Sequence, residues 1–186
     1  MKILAISGSA RAQSTNTALL RALAAVAPVG VTVEVFAGIG DLPVFSPDRE
    51  GYATPQTVRA FQQKIANADG LIIASPEYVR TLPGGLKNAI DWLVSGEDVV
   101  GKPIAIAHAS HRGDDMLQTL RTVLSTISSN FNPGIFLRLP LMKETPDAIM
   151  LAVASSANRP VAERFIEDFA AFCRDSRSGK PSSMEL

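Results

Sequence analysis

The segment Gly8-Ser9-Ala10-Arg11-Ala12-Gln13-Ser14-Thr15-Asn16 gathers uncharged hydrogen-bond donors around a single cation. Ser9, Ser14, Thr15 and Asn16 offer hydroxyl and amide groups. The guanidinium of Arg11 is a planar fork that matches a phosphate dianion. Placed between a strand and a helix, such a segment also presents unpaired backbone N–H groups and the positive end of a helix dipole. Gly8 permits a sharp exit from the strand. Together these features make an anion cradle suited to a phosphate monoester. The competing interpretation is a capped helix start with a solvent-facing arginine, because hydroxyl residues crowd helix starts in any case.

A second chemical segment is Ser75-Pro76-Glu77-Tyr78-Val79-Arg80-Thr81-Leu82-Pro83-Gly84-Gly85-Leu86-Lys87-Asn88-Ala89-Ile90-Asp91-Trp92. Pro76 and Pro83 stiffen it. A stiff loop with exposed peptide groups can lie along a flat heteroaromatic ring and bond its edge, and Tyr78 can cover part of that ring by stacking. The alternative is a rigid surface turn before an amphipathic helix, with Tyr78 and Trp92 as packing residues. Trp92 is expected in the core or at a subunit interface rather than on a ligand.

A third segment, His108-Ala109-Ser110-His111-Arg112-Gly113-Asp114, sets two histidines near an aspartate. Side chains at a strand end alternate faces, so His108 and His111 are expected to point apart and no metal centre is expected. No GxSxG nucleophile elbow accompanies the Ser-His pair.

These segments must be positioned by regular elements, and the apolar pattern supplies them. Short β-rich runs at 2–7, 31–36, 71–75, 103–109 and 135–139 have the length of buried strands. Between them the spacing predicts helices. Their faces are Ala18, Leu19, Ala22, Leu23 and Val26, then Val58, Phe61, Ile65 and Ala68, then Leu86, Ile90, Leu93 and Val94, then Leu117, Leu120, Leu124 and Ile127. A last helix is expected from Pro160 to about Arg174, and residues 176–186 are expected to fray. Thr54-Pro55 and Thr145-Pro146 each read as a capping hydroxyl before a first-turn proline. Strand–helix alternation of this kind predicts one α/β domain over 1–175. The expected fold is a doubly wound, five-stranded parallel sheet, order 2-1-3-4-5, with ligands outside the carboxyl ends of the strands.

Composition narrows the function. The chain has 186 residues, 46% hydrophobic, with 18 basic and 18 acidic side chains. That balance argues against binding nucleic acid or an anionic membrane through bulk charge, and against an electron carrier docked by electrostatic steering. The single cysteine, Cys173, rules out an internal disulfide or a CxxC pair and is expected to be a free core thiol. The polar Ser7-Gly8-Ser9 ends the first apolar run too early for a secretory signal, and no run is long enough to span a membrane, so a cytoplasmic location is expected. GxGxxG is absent. Residues 96–102 fit GxxxxGK, but Pro103 stands where a Walker loop has Ser or Thr, and the segment precedes a strand.

Gly-Ser-x-Arg-x-x-Ser-x-Asn after the first strand, followed by Pro-Glu-Tyr and then Pro-Gly-x-Leu-Lys-Asn-Ala-Ile-Asp-Trp after the third, resembles the NAD(P)H-dependent FMN reductase family. That group has a flavodoxin-like fold and includes chromate, quinone and azo dye reductases. Leu42-Pro43-Val44-Phe45-Ser46-Pro47-Asp48 resembles the family's loop after strand two, which lies near the active site of a partner subunit. The resemblance implies that Ser9, Arg11, Ser14 and Asn16 hold the FMN phosphate, with Thr15 contributing its backbone. It implies that Pro76, Glu77, Tyr78 and Val79 border the isoalloxazine largely through main-chain groups, and that Ser110, His111 and Gly113 border its third side. It further implies NADPH or NADH as co-substrate, a small-molecule electron acceptor, and a homodimer or homotetramer. The flavin carries out hydride transfer itself, so no catalytic side chain is named.

The chain departs from the family at two places. Val79 stands where an asparagine usually follows Pro-Glu-Tyr. In place of Gly-Gly-x-Arg-x-Gln the chain has Arg112-Gly113-Asp114-Asp115-Met116-Leu117, which leaves Arg112 or Arg80 as candidate substitutes for the missing arginine. These departures keep a second possibility open, an FMN-binding carrier or redox sensor with little NAD(P)H oxidation. A third keeps the cradle but changes its guest to another phosphorylated metabolite.

Overall fold

The computed structural model describes residues 1–178; Gly179 to Leu186, the larger part of the expected frayed tail, lie outside the described residues. Five strands form one parallel sheet: β1 (Lys2–Ser7), β2 (Thr32–Phe36), β3 (Gly70–Ala74), β4 (Ile104–His108) and β5 (Phe131–Arg138). Their order is β2-β1-β3-β4-β5, as the alternation predicted. Six α-helices connect and cover them: α1 (Thr15–Ala25), α2 (Gln56–Ala66), α3 (Gly84–Asp91), α4 (Asp114–Ile127), α5 (Pro146–Ala154) and α6 (Arg159–Arg177). Among the described residues, no helix is long and apolar enough to cross a membrane.

Alternation along β1 shows why the sheet sits between two helical layers. Ile3 and Ala5 face a core made with Leu19 and Leu23 of α1, Ile149 and Val153 of α5, and Ile166 and Phe169 of α6. Leu4 and Ile6 face the opposite core, with Phe61 and Ile65 of α2, Leu86 and Ile90 of α3, and Leu120 and Leu124 of α4. Strands buried on both faces read as continuous apolar runs, which is what makes them visible in the sequence. Cys173 is buried in the first core, and burial pushes its thiol up to about 12, so it is an inert core residue.

Helix ends differ from expectation where local chemistry competed. Thr145 caps α5, its hydroxyl accepting from the amide of Ala148 at 3.2 Å, with Pro146 in the first turn. Thr54 does not cap α2. Pro55 takes the cap position, the helix starts at Gln56, and Thr54 is buried with its carbonyl accepting from Arg59. The last helix continues to Arg177, so Ser176 and Arg177 of the expected tail are helical. Strand β5 starts earlier than predicted because its pairing with β4 shifts register between Ile104 and Ile106, absorbing the Asn132-Pro133-Gly134 stretch that broke the apolar pattern. Trp92 is 1% exposed, and its indole N–H donates to the carbonyl of Pro43 at 2.8 Å while Phe45 meets it edge-on. It is a core residue that ties down the loop after β2.

At the end of β1, the amide of Gly8 donates to the carbonyl of Ala74 at 2.7 Å, joining the first two carboxyl-edge loops. A Cβ on Gly8 would lie 2.9 Å from Leu86 Cδ2 and 3.0 Å from Ser75 Oγ. Gly8→Ala is therefore expected to lower unfolding free energy by about 1–3 kcal/mol through overpacking. Urea denaturation checks this, and an unchanged midpoint would show that the contact gives way freely.

Candidate active site

The loop between β1 and α1 is braced by its own hydroxyls. Ser7 Oγ lies 2.7 Å from Thr17 Oγ1 and accepts from the amide of Ser9 at 3.3 Å. Ser9 Oγ accepts from the amide of Arg11 at 3.2 Å, and Ser14 Oγ accepts from the amide of Thr17 at 3.3 Å, capping α1. Ser9 and Ser14 therefore stiffen the loop while each keeps a hydroxyl proton to donate. The amides of Gln13, Ser14, Thr15 and Asn16 donate to no protein group among the described residues. Asn16 is buried, and its Oδ1 has no partner. Arg11 is exposed, and its guanidinium makes no hydrogen bond or ion pair among the described residues.

The loop after β3 is a tight hairpin. Tyr78 and Thr81 exchange backbone bonds of 3.0 and 3.1 Å, and the two central residues, Val79 and Arg80, have φ of 51° and 61°. Two successive positive φ angles define a type I′ turn, whose favoured residues are Asn and Gly. For a β-branched residue this backbone region is strained. Tyr78 is half exposed and Val79 almost wholly so. Arg80 Nε is 2.6 Å from Asp115 Oδ2 in the first turn of α4, which ties the hairpin tip to the next crossover.

The loop after β4 is the most tightly held. His108 is 2% exposed, and its Nε2 meets the carbonyl of Arg112 at 2.6 Å. The amide of Arg112 donates to Ser110 Oγ at 2.9 Å. Arg138 Nε donates to the carbonyl of Ser110 at 2.8 Å, and its Nη1 donates to Asp114 Oδ1 at 2.7 Å, a bond that holds the Asp114 carboxyl below its usual range. Gly113, at φ 98°, caps α4, and a Cβ there would lie 3.1 Å from His108 Nε2 and 3.5 Å from Glu77 Oε2. Burial pushes the His108 imidazole down, partly opposed by the Arg112 carbonyl. His111 is exposed whereas His108 is buried.

These loops enclose a cleft of about 340 Å³ at the carboxyl edge of the sheet, lined by residues of four crossovers. Six expected residues line it: Thr15, Asn16, Pro76, Glu77, Ser110 and Gly113. Ser9, Arg11, Ser14, Tyr78, Val79 and His111 lie on the same loops outside the lining, Ser9 and Ser14 as buried braces and the others exposed. Sequence reasoning missed His108, Ala109, Met142 and Lys143 as lining, and it considered Arg112 only as a substitute cation. His108 falls inside the predicted strand 103–109, and β4 ends on it. Met142 and Lys143 belong to the loop after β5, which carried no motif.

Residues 1–138 match the family model described as NADPH-dependent FMN reductase. The chain belongs to that family. It is 36% identical over 187 residues to a 2-hydroxy-1,4-benzoquinone reductase from a Burkholderia species, covering 95% of this chain and 98% of that protein. It is 38% identical over 115 residues to a quinone reductase of Escherichia coli strain K12, covering 59% of this chain and 60% of that protein. Among solved structures, the flavoenzyme NAD(P)H:(acceptor) oxidoreductase FerB from Paracoccus denitrificans superposes with a TM-score of 0.74 at 23% identity, over 94% of this chain and 98% of that one. This likeness establishes the flavodoxin-like fold. As a member of the FMN reductase family, the chain is an oxidoreductase that uses FMN and NAD(P)H.

Two outcomes follow from the loop geometry. Val79→Asn places a residue suited to left-handed backbone at φ 51° and is expected to raise unfolding free energy by about 1 kcal/mol, read as a higher urea midpoint; a lower one would show that Val79 is unstrained. His108 titrates below an unfolded histidine, so the unfolded chain binds the proton first as pH falls. Stability is full above the ordinary histidine value, declines as pH falls below it, and levels off beneath the folded pKa. Denaturation midpoints across pH 4–8 (roughly the histidine window) are expected to flatten in His108→Asn; an unflattened profile would assign the slope to other groups.

Proposed function

We propose that the four-loop cleft holds FMN with its phosphate on the β1–α1 loop, and that the holoenzyme takes hydride from NADPH or NADH and reduces a quinone. The observation that carries this is the set of unpaired amides at Gln13, Ser14, Thr15 and Asn16, backed by the orphaned buried Oδ1 of Asn16. Free amides at a helix start can bind an anion, and a buried polar atom such as Asn16 Oδ1 calls for a partner. The donor set fits a phosphate monoester. The amides and the protons of Ser9 and Ser14 would supply neutral donors, Arg11 would supply the charge, and the buried Oδ1 of Asn16 is available to accept from a hydroxyl of the cofactor.

Bound FMN supplies the hydride chemistry, accepting from the pyridine nucleotide and passing reducing equivalents to the acceptor. This chain's residues bind, orient and shield. Pro76 and Glu77 line the cleft from the second loop, and Ser110 and Gly113 line it from the third. Tyr78 and Val79 stand exposed on the hairpin that continues from Pro76 and Glu77. His108, buried and pushed towards neutrality, fixes the Arg112 carbonyl and so the shape of the third loop. The quinone assignment is supported by the relatives named as quinone reductases, one of them aligned along nearly the whole chain. We infer a cytoplasmic homodimer or homotetramer. Its contact surface would include Val44 and Val94, which are 81% and 63% exposed beside the buried Trp92 anchor. Apolar side chains clustered at one exposed site mark an interaction surface.

Arg11→Ala is expected to weaken FMN binding by about ten- to a hundredfold, since a hydrogen bond to a charged partner contributes about 1.5–3 kcal/mol. Riboflavin, which lacks the phosphate, should bind the variant and the parent alike. Flavin fluorescence titration measures both. Equal losses for the two ligands would remove Arg11 from the phosphate site. Steady-state NADPH consumption with 1,4-benzoquinone separates an enzyme from a carrier, which would show almost none.

A further inference from the structure

We propose that Lys143 and Arg112 form a second anion subsite, which takes the 2′-phosphate of NADPH and makes this chain prefer NADPH to NADH. The inference rests on the flavin-reductase assignment of the cleft and adds a specificity device to it. Lys143 is the first observation. The amide of Glu144 donates to the carbonyl of Leu141 at 3.3 Å, so Leu141-Met142-Lys143-Glu144 is a β-turn. Lys143 is its second central residue, at φ 71°, while Met142 is not left-handed. That is the type II pattern, whose second central position favours glycine. A lysine there carries a steric cost that glycine would not, and nothing within the turn recovers it. Its ammonium makes no hydrogen bond or ion pair among the described residues, although the side chain lines the cleft. Backbone strain kept at a cleft wall points to a job for the side chain.

Arg112 is the second observation. Its backbone is pinned on both sides, the amide to Ser110 Oγ and the carbonyl to His108 Nε2. Its guanidinium, like the Lys143 ammonium, has no partner among the described residues, and Arg112 also lines the cleft. The neighbouring cations are engaged: Arg80 with Asp115, and Arg138 with Asp114 and Ser110. Of the candidate substitutes for the missing family arginine, Arg80 is therefore occupied and Arg112 is free. Glu77 is the one carboxylate in the lining, so the walls are net positive.

Two phosphate dianions could answer to this pair, that of FMN and the 2′-phosphate of NADPH. The β1–α1 loop already supplies amides, hydroxyls and Arg11 for the first. Lys143 and Arg112 stand on two other crossovers, and both are exposed. Neither belongs to the loop that supplies the donors for the flavin phosphate, which leaves the pair for a second dianion. Only NADPH brings a dianion that NADH lacks, so cations placed here discriminate between the two.

The test uses the FMN-loaded enzyme with Lys143→Gly and Arg112→Gln. Glycine is the residue the turn favours, so the first variant keeps its fold. The expected result is a fall of about tenfold or more in kcat/KM for NADPH in each variant, the size of one lost charge-assisted hydrogen bond. The value for NADH should stay within about twofold. Adenosine 2′,5′-bisphosphate should compete more weakly against both variants than against the parent, while adenosine 5′-monophosphate should compete equally. The FMN dissociation constant, read by flavin fluorescence, should not move. Equal losses for NADPH and NADH, or an unchanged ratio, would overturn the proposal. A weakened FMN affinity would also overturn it, by assigning the pair to the flavin phosphate. A parent protein that binds FMN yet oxidises neither nucleotide would remove the enzyme assignment itself.

Discussion

A parallel sheet covered on both faces leaves no place within it for polar chemistry, and every feature of the active site follows from that exclusion. Strands β1, β3 and β4 are buried along almost their whole length. Their side chains serve the two cores and nothing else, apart from Ser7 and His108 at the last positions. Polar groups therefore collect where the strands stop. Right-handed crossovers bring all those ends to one edge. At that edge the first helix begins with unpaired N–H groups, and adjacent loops from β1, β3, β4 and β5 form walls around a common space.

Loops at such an edge would be mobile without bracing, and most of the polar side chains here brace rather than bind. Ser7 holds Thr17, Ser9 holds Arg11, Ser14 holds Thr17, Ser110 holds Arg112, and His108 and Arg138 fasten the third loop from opposite sides. Gly8 and Ala74 join the first loop to the second, and Arg80 and Asp115 join the second to the third. The exposed ion pair contributes little to stability by itself. Its role is to restrict where the hairpin tip can go. A cleft whose walls are already ordered loses less entropy when a flexible cofactor enters.

The sheet was legible because burial on both faces imposes an unbroken apolar signal. Lys2–Ser7 coincides with its predicted limits, and the strand order followed from alternation alone. Ser14, expected on the phosphate, caps α1, while the Thr145 cap was legible because it depends on residue type at one position. The Thr54 cap failed because a proline at the following position can itself take the cap, and sequence does not distinguish the two. The β5 start failed because its bulge depends on the neighbouring strand. In the cleft, the β1–α1 loop stood out through its residue types. Lys143 did not, because its significance lies in a backbone angle rather than in its identity. His108 was hidden by being the last residue of a strand, where one step decides between core and cleft.

Strain is distributed in a way that supports the assignment of the cleft. Among the described residues, the non-glycine positions with left-handed backbone are Val79, Arg80 and Lys143. All three stand on loops that border the same cleft, and none stands on the amino edge of the sheet or on a loop between remote helices. A chain free to relax would place glycine or asparagine at each of them. Random drift would scatter such positions over every turn of the molecule. Their confinement to two loops sets an exposed apolar side chain at Val79, a tether at Arg80 and an ammonium lining the cleft at Lys143, each despite the backbone cost. Strain confined in this way is the signature of a surface shaped around a ligand rather than around its own stability.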